Sequence, residues 1–253
     1  MNLEICIDSV ESAVAAQRGG AQRGGAQRVE LCSALIEGGI TPGAGLIATV
    51  RNHIAIGLFV MIRPRGGDFC YSELEFEIMK REIENARALR ADGIVLGLLD
   101  HNACVDLVRT KQLIELARPL PVTFHRAIDM TPDMNVALES VIAAGARRVL
   151  TSGGAPNVIA GTGQIAQLVK LAKGRISVMP GGGVSPENVA QLAHATGATE
   201  FHSSARTLLP SQMIFRKQGI AMGDVPDREY DRYTVSEEKV RALADALAHL
   251  DSN

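Results

Sequence analysis

Eight short apolar runs recur along the chain with helix-patterned segments between them, and this alternation limits the fold more than any other feature. The runs occupy residues 3–7, 28–32, 58–62, 93–98, 121–125, 148–151, 176–180 and 199–203. Between the third and fourth, Phe76, Met79, Ile83 and Ala86 fall at intervals of three and four, which gives one apolar stripe. A helix with such a stripe packs on a sheet. Strands joined through helices lie parallel, and right-handed crossovers set consecutive strands side by side until the sheet meets itself. The expected fold is therefore α/β, a single (β/α)8 TIM barrel spanning residues 1–253, a length typical of that architecture. An open doubly wound sheet is the competing fold. It carries a glycine fingerprint after its first strand, whereas here Asp8-Ser9-Val10-Glu11 follows the first run and the glycine-rich loop comes after the seventh.

Local signals place the helix ends. Ser72 with Glu75 three residues on reads as a capping box. Thr131-Pro132-Asp133 and Ser185-Pro186-Glu187 each read as a hydroxyl cap, a proline at the first helical position and an acid against the dipole. Gly145 and Gly197 read as helix stops, and the final helix opens near Ser236.

The hydrophobic fraction of 46% and charged fraction of 21% exclude disorder, collagen and coiled coil. A net charge of -2 supplies no general field for nucleic acid or anionic lipid. No apolar run is long enough to span a membrane, and the acidic, alternating start is unlike a signal peptide, so a cytoplasmic location is expected. Cys6, Cys32, Cys70 and Cys104 are widely spaced without a C-x-x-C pair, which argues against a zinc knuckle and for free thiols. Cys104 is assigned to a helix, and Cys70 to a loop approaching the rim.

Reactive residues gather at the C-terminal ends of the runs. The first two read Leu-Glu-Ile-Cys and Val-Glu-Leu-Cys, so Glu4 and Cys6 share one face, as do Glu30 and Cys32. With the apolar face against the helices, two carboxylates and two thiols point into the barrel. Later strand ends supply Arg63, Arg65 and Asp68, then His125 and Arg126, then His202. With Glu4 and Glu30 these residues are candidate acid/base groups, or members of a structural ion-pair network. His202 and His125 are better functional candidates than His53, His101, His194 and His249, which fall in loops or helices. Gly181, Gly182 and Gly183 place bare N–H groups at a helix start, beside Ser203 and Ser204, where they hold a phosphate or other anion or form a plain tight turn. No nucleotide-cofactor motif is present. Two thiols on adjacent strands suit a soft ion such as Cu(I).

Several segments resemble the copper homeostasis protein CutC family: Arg28-Val29-Glu30-Leu31-Cys32, Glu37-Gly38-Gly39-Ile40-Thr41-Pro42, Ile62-Arg63-Pro64-Arg65-Gly66-Gly67-Asp68-Phe69-Cys70-Tyr71, Val122-Thr123-Phe124-His125-Arg126-Ala127, Leu150-Thr151-Ser152-Gly153-Gly154 and His202-Ser203-Ser204-Ala205. The resemblance implies a cytoplasmic TIM barrel, a homodimer or higher homo-oligomer, linked to copper, with Cys6 and Cys32 as candidate copper contacts. Two functions are expected from these readings. One is copper handling through the two cysteines. The other is an enzyme of lyase or isomerase type on a small phosphorylated or carboxylated metabolite, with Glu30 or His125 as base, Arg63 and Arg126 on developing negative charge, and the anion on Gly182, Gly183 and Ser204.

Two segments stand apart. Gln17-Arg18-Gly19-Gly20-Ala21 recurs as Gln22-Arg23-Gly24-Gly25-Ala26, which departs from the single copy of the family pattern and reads as a neutral insertion between the first helix and second strand. Residues 206–235 lack clear periodicity and read as a lid or oligomer contact.

Overall fold

The computed structural model describes residues 1–20, 26–220, 222 and 229–251. Eight strands run β1 Asn2–Ile7, β2 Ala26–Leu31, β3 Gly57–Met61, β4 Gly93–Leu96, β5 Val122–Phe124, β6 Arg148–Thr151, β7 Ser177–Pro180 and β8 Glu200–Ser203. Their order is β7-β6-β5-β4-β3-β2-β1-β8, every neighbouring pair parallel. A parallel bridge between Gly181 and His202 joins the two ends, so the sheet closes into the expected (β/α)8 barrel.

The helices are α1 Val10–Gly20, α2 Ala44–His53, α3 Glu73–Ala88, α4 Leu107–Ala117, α5 Met134–Ala144, α6 Thr162–Ala172, α7 Val189–Thr196 and α8 Glu237–Asp251. Period-two alternation sorts the strand residues between two cores. Leu3, Ile5 and Ile7 of β1 join Val29, Leu31, Leu58, Val60, Ile94 and Leu96 in the layer between sheet and helices. Each such side chain stabilises the fold by about 2 kcal/mol. Slipping β1 by one residue would drive Glu4 into that layer, so its register is strongly specified.

Helix α3 buries the expected stripe of Phe76, Met79, Ile83 and Ala86 and starts with the full Ser72–Glu75 capping box. Gly145 and Gly197 end α5 and α7 in the left-handed conformation. Ser236 caps α8 by accepting from the Lys239 N–H. Other helix starts differ from the sequence reading. The cap of α5 is Asp133, whose carboxylate accepts from the N–H groups of Asn135 and Val136, and Thr131 instead donates to the Ile128 carbonyl. Helix α7 begins only at Val189, because the Asn188 amide folds the Ser185-Pro186-Glu187 segment into a turn of its own.

Cys104 lies in the β4–α4 loop and not in a helix, since its N–H is bound by the Asp100 carboxylate ahead of α4. The long segment after β8 contains two strands that periodicity did not disclose, β9 Arg206–Leu209 and β10 Arg232–Val235, paired antiparallel. Of the duplication, Gln17 to Gly20 are helical and Ala26 opens β2, while residues 21–25 lie outside the described residues. Gly19 is needed where it stands: a Cβ there would lie 2.7 Å from the Val240 Cβ and from the Glu237 carbonyl oxygen of α8.

Candidate functional site

The inward faces of the strands build a charged floor and a sulfur-rich mouth. In the floor, Arg28 of β2 donates through Nε to Glu4 (2.5 Å) and through Nη2 to Glu200 (2.6 Å), and Arg148 of β6 donates to Glu200 (2.6 Å) and to the Thr123 hydroxyl. Both guanidinium groups flank the Phe59 ring, at 5.4 and 5.5 Å from its centroid. Gly93 makes room for that ring, since a Cβ would lie 2.2 Å from it. Burial pushes the Glu4 carboxyl up, but the charge of Arg28 and the hydrogen bond with His202 outweigh it and hold Glu4 at about 2.

Above the floor, His202 of β8 places Nδ1 2.8 Å from Glu4 Oε1 and Nε2 3.7 Å from Glu30 Oε2. The carboxylate at Nδ1 fixes the ring and leaves Nε2 directed at Glu30, an arrangement common behind metal-binding histidines. Cys6 Sγ, a Glu30 oxygen and a His202 nitrogen all lie within 4.8 Å of one another. Cys32 completes the group, donating to Glu30 Oε2 (3.7 Å) and hydrogen-bonding Cys6. The bond from Cys32, against burial and with help from His202, lowers Cys6 to about 5. That same bond, together with burial, raises Cys32 well above the usual thiol range. Burial raises Glu30. It works against a charged His202 too, but the negative charge of Glu30 and bonds with Cys6 and Glu4 raise His202 well above an ordinary imidazole. Glu30 Oε1 is buried with no partner among the described residues. Two sulfurs, an imidazole and a carboxylate form a donor set for a soft cation.

The other sequence candidates sit elsewhere on the rim. Arg63 spends its Nη1 on the carbonyls of Glu37 and Gly39 and its Nη2 on that of Gly67, so it ties two loops together. His125 accepts the Ala127 N–H on Nδ1 (3.1 Å), and the Phe69 ring lies 5.0 Å from both His125 and the Arg63 guanidinium. Burial, with the Arg63 charge, lowers His125 to about 3. Arg65 and Asp68 pair with each other in the β3–α3 loop, where Arg65 also binds Glu75. Cys70 is in the same loop, its sulfur 3.5 Å from His101 Nδ1.

Arg126 binds Asp129 and the Ser152 hydroxyl, and its Nη1 stands beside Gly182, 3.3 Å from where a Cβ would be. The glycine loop does not open a helix. Gly181 donates to the Thr151 carbonyl, the Gly182 carbonyl accepts from Val158, and five residues separate Gly183 from the start of α7. Ser203 donates to the Val184 carbonyl, and Ser204 is exposed. The structure thus brings Glu4, Cys6, Glu30, Cys32 and His202 into one group and distributes Arg63, Arg65, Asp68, His125 and Arg126 around it. Sequence reasoning overlooked Arg28, Arg148 and Glu200. Parity was the available signal, because Arg28 shares the inward face of Glu30, and Glu200 that of His202.

The model of the CutC family matches residues 1–207. A CutC family protein of Chromobacterium violaceum is 50% identical over 245 residues, covering 97% of each chain. The mouse copper homeostasis protein cutC homolog is 48% identical over 242 residues, 95% of this chain and 87% of the mouse protein. Among solved structures, the putative copper homeostasis protein CutC of Streptococcus agalactiae superposes with a TM-score of 0.76 at 34% identity, covering 81% of this chain and 98% of that one.

Proposed function

The chain belongs to the CutC family, and from that premise we propose that it serves copper homeostasis by holding Cu(I) as cargo at Cys6 and Cys32. The observation that carries this reading is the convergence of the Cys6 sulfur, a Glu30 oxygen and a His202 nitrogen within 4.8 Å, with the Cys32 sulfur bonded alongside. Thiolates and imidazole are the side chains that prefer a soft monovalent ion, whereas a carboxylate is a hard ligand. Glu30 therefore serves to orient and to accept the proton that a thiol releases when it binds the ion. Glu4 holds His202 from behind, and the Arg28–Glu200–Arg148 layer keeps Glu4 charged. Cys32 is fully buried, whereas Cys6 retains 8% exposure and His202 is half-buried, so cargo enters past Cys6 and His202.

Anaerobic Cu(I) titration against a chromophoric chelator tests the proposal. Wild type is expected to compete for the ion, and Cys6→Ser and Cys32→Ser are each expected to weaken binding at least tenfold. Equal affinity in wild type and the double variant would remove the thiols from the function.

A further inference from the structure

Arg63 is a buried cation that pairs with no carboxylate among the described residues. Its Nη1 donates to the carbonyls of Glu37 and Gly39 and its Nη2 to that of Gly67, while its Nε has no protein acceptor there. The acids around it are engaged elsewhere. Glu37 lends its carbonyl and turns its carboxyl toward Gly66, Glu82 accepts from Thr41, and Glu30 faces His202 and Cys32. Asp68 and Glu75 are bound by Arg65, and Asp129 by Arg126. Carbonyl dipoles solvate a guanidinium but leave its charge in place, and a buried charge that is neither paired nor fully hydrogen-bonded is costly.

Two more buried groups beside Arg63 carry unpartnered polar atoms. His125 accepts the Ala127 N–H on Nδ1, so its own N–H is on Nε2, and that atom has no protein acceptor among the described residues. The Tyr71 hydroxyl approaches the Arg63 guanidinium outside hydrogen-bonding geometry and lacks a partner too. The strand order brings these groups together. Strand β4 lies between β3 and β5 and ends near Gly97, where a Cβ would lie 2.5 Å from the His125 ring, so the ring leans across β4 toward β3 and Arg63. The Phe69 ring lies 5.0 Å from both His125 and the guanidinium and covers them, leaving Arg63 5% and His125 4% exposed.

A charged N–H, a neutral N–H and a hydroxyl thus lie under one aromatic ring with nothing in the protein to accept from them, and unmade bonds of buried donors call for an acceptor. We propose that this recess binds a small monoanionic carboxylate, whose oxygens accept from Arg63 Nε, His125 Nε2 and the Tyr71 hydroxyl. One unpaired cation balances one negative charge. A dianion such as sulfate or phosphate brings a second charge that no group of the recess offsets. The recess adjoins the sulfur site without sharing its ligands: Gly39, whose carbonyl binds Arg63, stands where a Cβ would lie 3.0 Å from Cys32 Sγ. Binding there needs no metal and does not depend on the copper reading. It also differs from an anion on the glycine loop, where Arg126 is already paired with Asp129.

NMR titration of the metal-free full chain with sodium formate tests this, with arginine and histidine nitrogens isotopically labelled and assigned through the side-chain bonds. The Arg63 Nε–H and His125 Nε2–H signals are expected to shift together and to saturate in the millimolar range, with no such response to sodium sulfate. His125→Asn keeps an acceptor for the Ala127 N–H but loses the Nε2 donor, and Tyr71→Phe loses only the hydroxyl. Each is expected to weaken formate binding about fivefold or more, with folding checked by circular dichroism. Formate affinity unchanged in either folded variant, or an equal response to sulfate, overturns the proposal. Signals indifferent to formate in the wild type mark a bound water only and overturn it as well.

Discussion

Replacing Arg28 by Met is the sharpest test of the charged floor beneath the site. Met keeps much of the side-chain volume and removes two buried ionic hydrogen bonds, to Glu4 at 2.5 Å and Glu200 at 2.6 Å. Glu200 keeps Arg148, and Glu4 keeps His202 and the more distant charge of Arg148. Removing one partner of a buried ion pair destabilises by roughly 3–5 kcal/mol, because the remaining charge stays buried without compensation. The Glu4 carboxyl gives an independent scale: its lowering to about 2 from an ordinary 4.5 corresponds to about 3 kcal/mol of preference for the charged form. Arg28 is the foremost contributor to that lowering. The sign follows from linkage. A depressed carboxyl stabilises the fold above pH 4.5, and that stabilisation is lost as pH falls toward 2.

Urea unfolding at pH 7 is therefore expected to show a loss of about 3–5 kcal/mol in Arg28→Met with little change in the denaturant slope. The loss is expected to shrink near pH 3, where Glu4 of the variant takes up a proton. Adding Glu4→Gln removes the stranded charge, so the double variant should be more stable than the two single losses predict, by roughly 1–3 kcal/mol. A loss below about 1 kcal/mol in the single variant, or strict additivity in the double, would refute the account of Arg28 as the group that keeps Glu4 charged.

Two further outcomes follow from the rim. A Cβ at Gly97 would lie 2.5 Å from the His125 ring, so Gly97→Ala is expected to destabilise by about 1–3 kcal/mol, readable as a fall in thermal midpoint, and an unchanged midpoint would show that the ring moves freely. His125, lowered to about 3, binds its proton in the unfolded chain before the folded one as the solution is acidified. Its contribution is complete above the ordinary imidazole value and is lost between about pH 6.5 and 3, by up to about 1.4 kcal/mol per pH unit. His125→Asn, which retains an acceptor for the Ala127 N–H, should flatten the pH dependence of urea unfolding in that window; an identical profile would place the titration elsewhere.

The barrel was legible because its signals are local. Period-two runs, a helical stripe such as Phe76-Met79-Ile83-Ala86, and the Ser72–Glu75 box each act over a few residues, and eight repetitions leave few ways to close a sheet. The hairpin after β8 was not legible, since Arg206–Leu209 and Arg232–Val235 are four residues each and paired over a long separation. Helix starts were displaced where a side chain other than the hydroxyl won the free N–H groups, as Asp133 does at α5.

Parity within a strand placed Glu4, Cys6, Glu30, Cys32 and His202 inside the barrel, because backbone pleating turns alternate side chains to one face whatever the rest of the chain does. Only the closed sheet decided which groups meet. Arg28 and Glu200 are 172 residues apart and become partners through the stagger of β1 between β2 and β8. Depth was likewise a tertiary matter. Arg63 and Arg65 are two residues apart and seem equivalent on paper, yet one is buried against loop carbonyls and the other binds Glu75 outside the barrel. Strand β3 stops at Met61, and beyond that point the pleat no longer governs direction; the loop's own hydrogen bonds do.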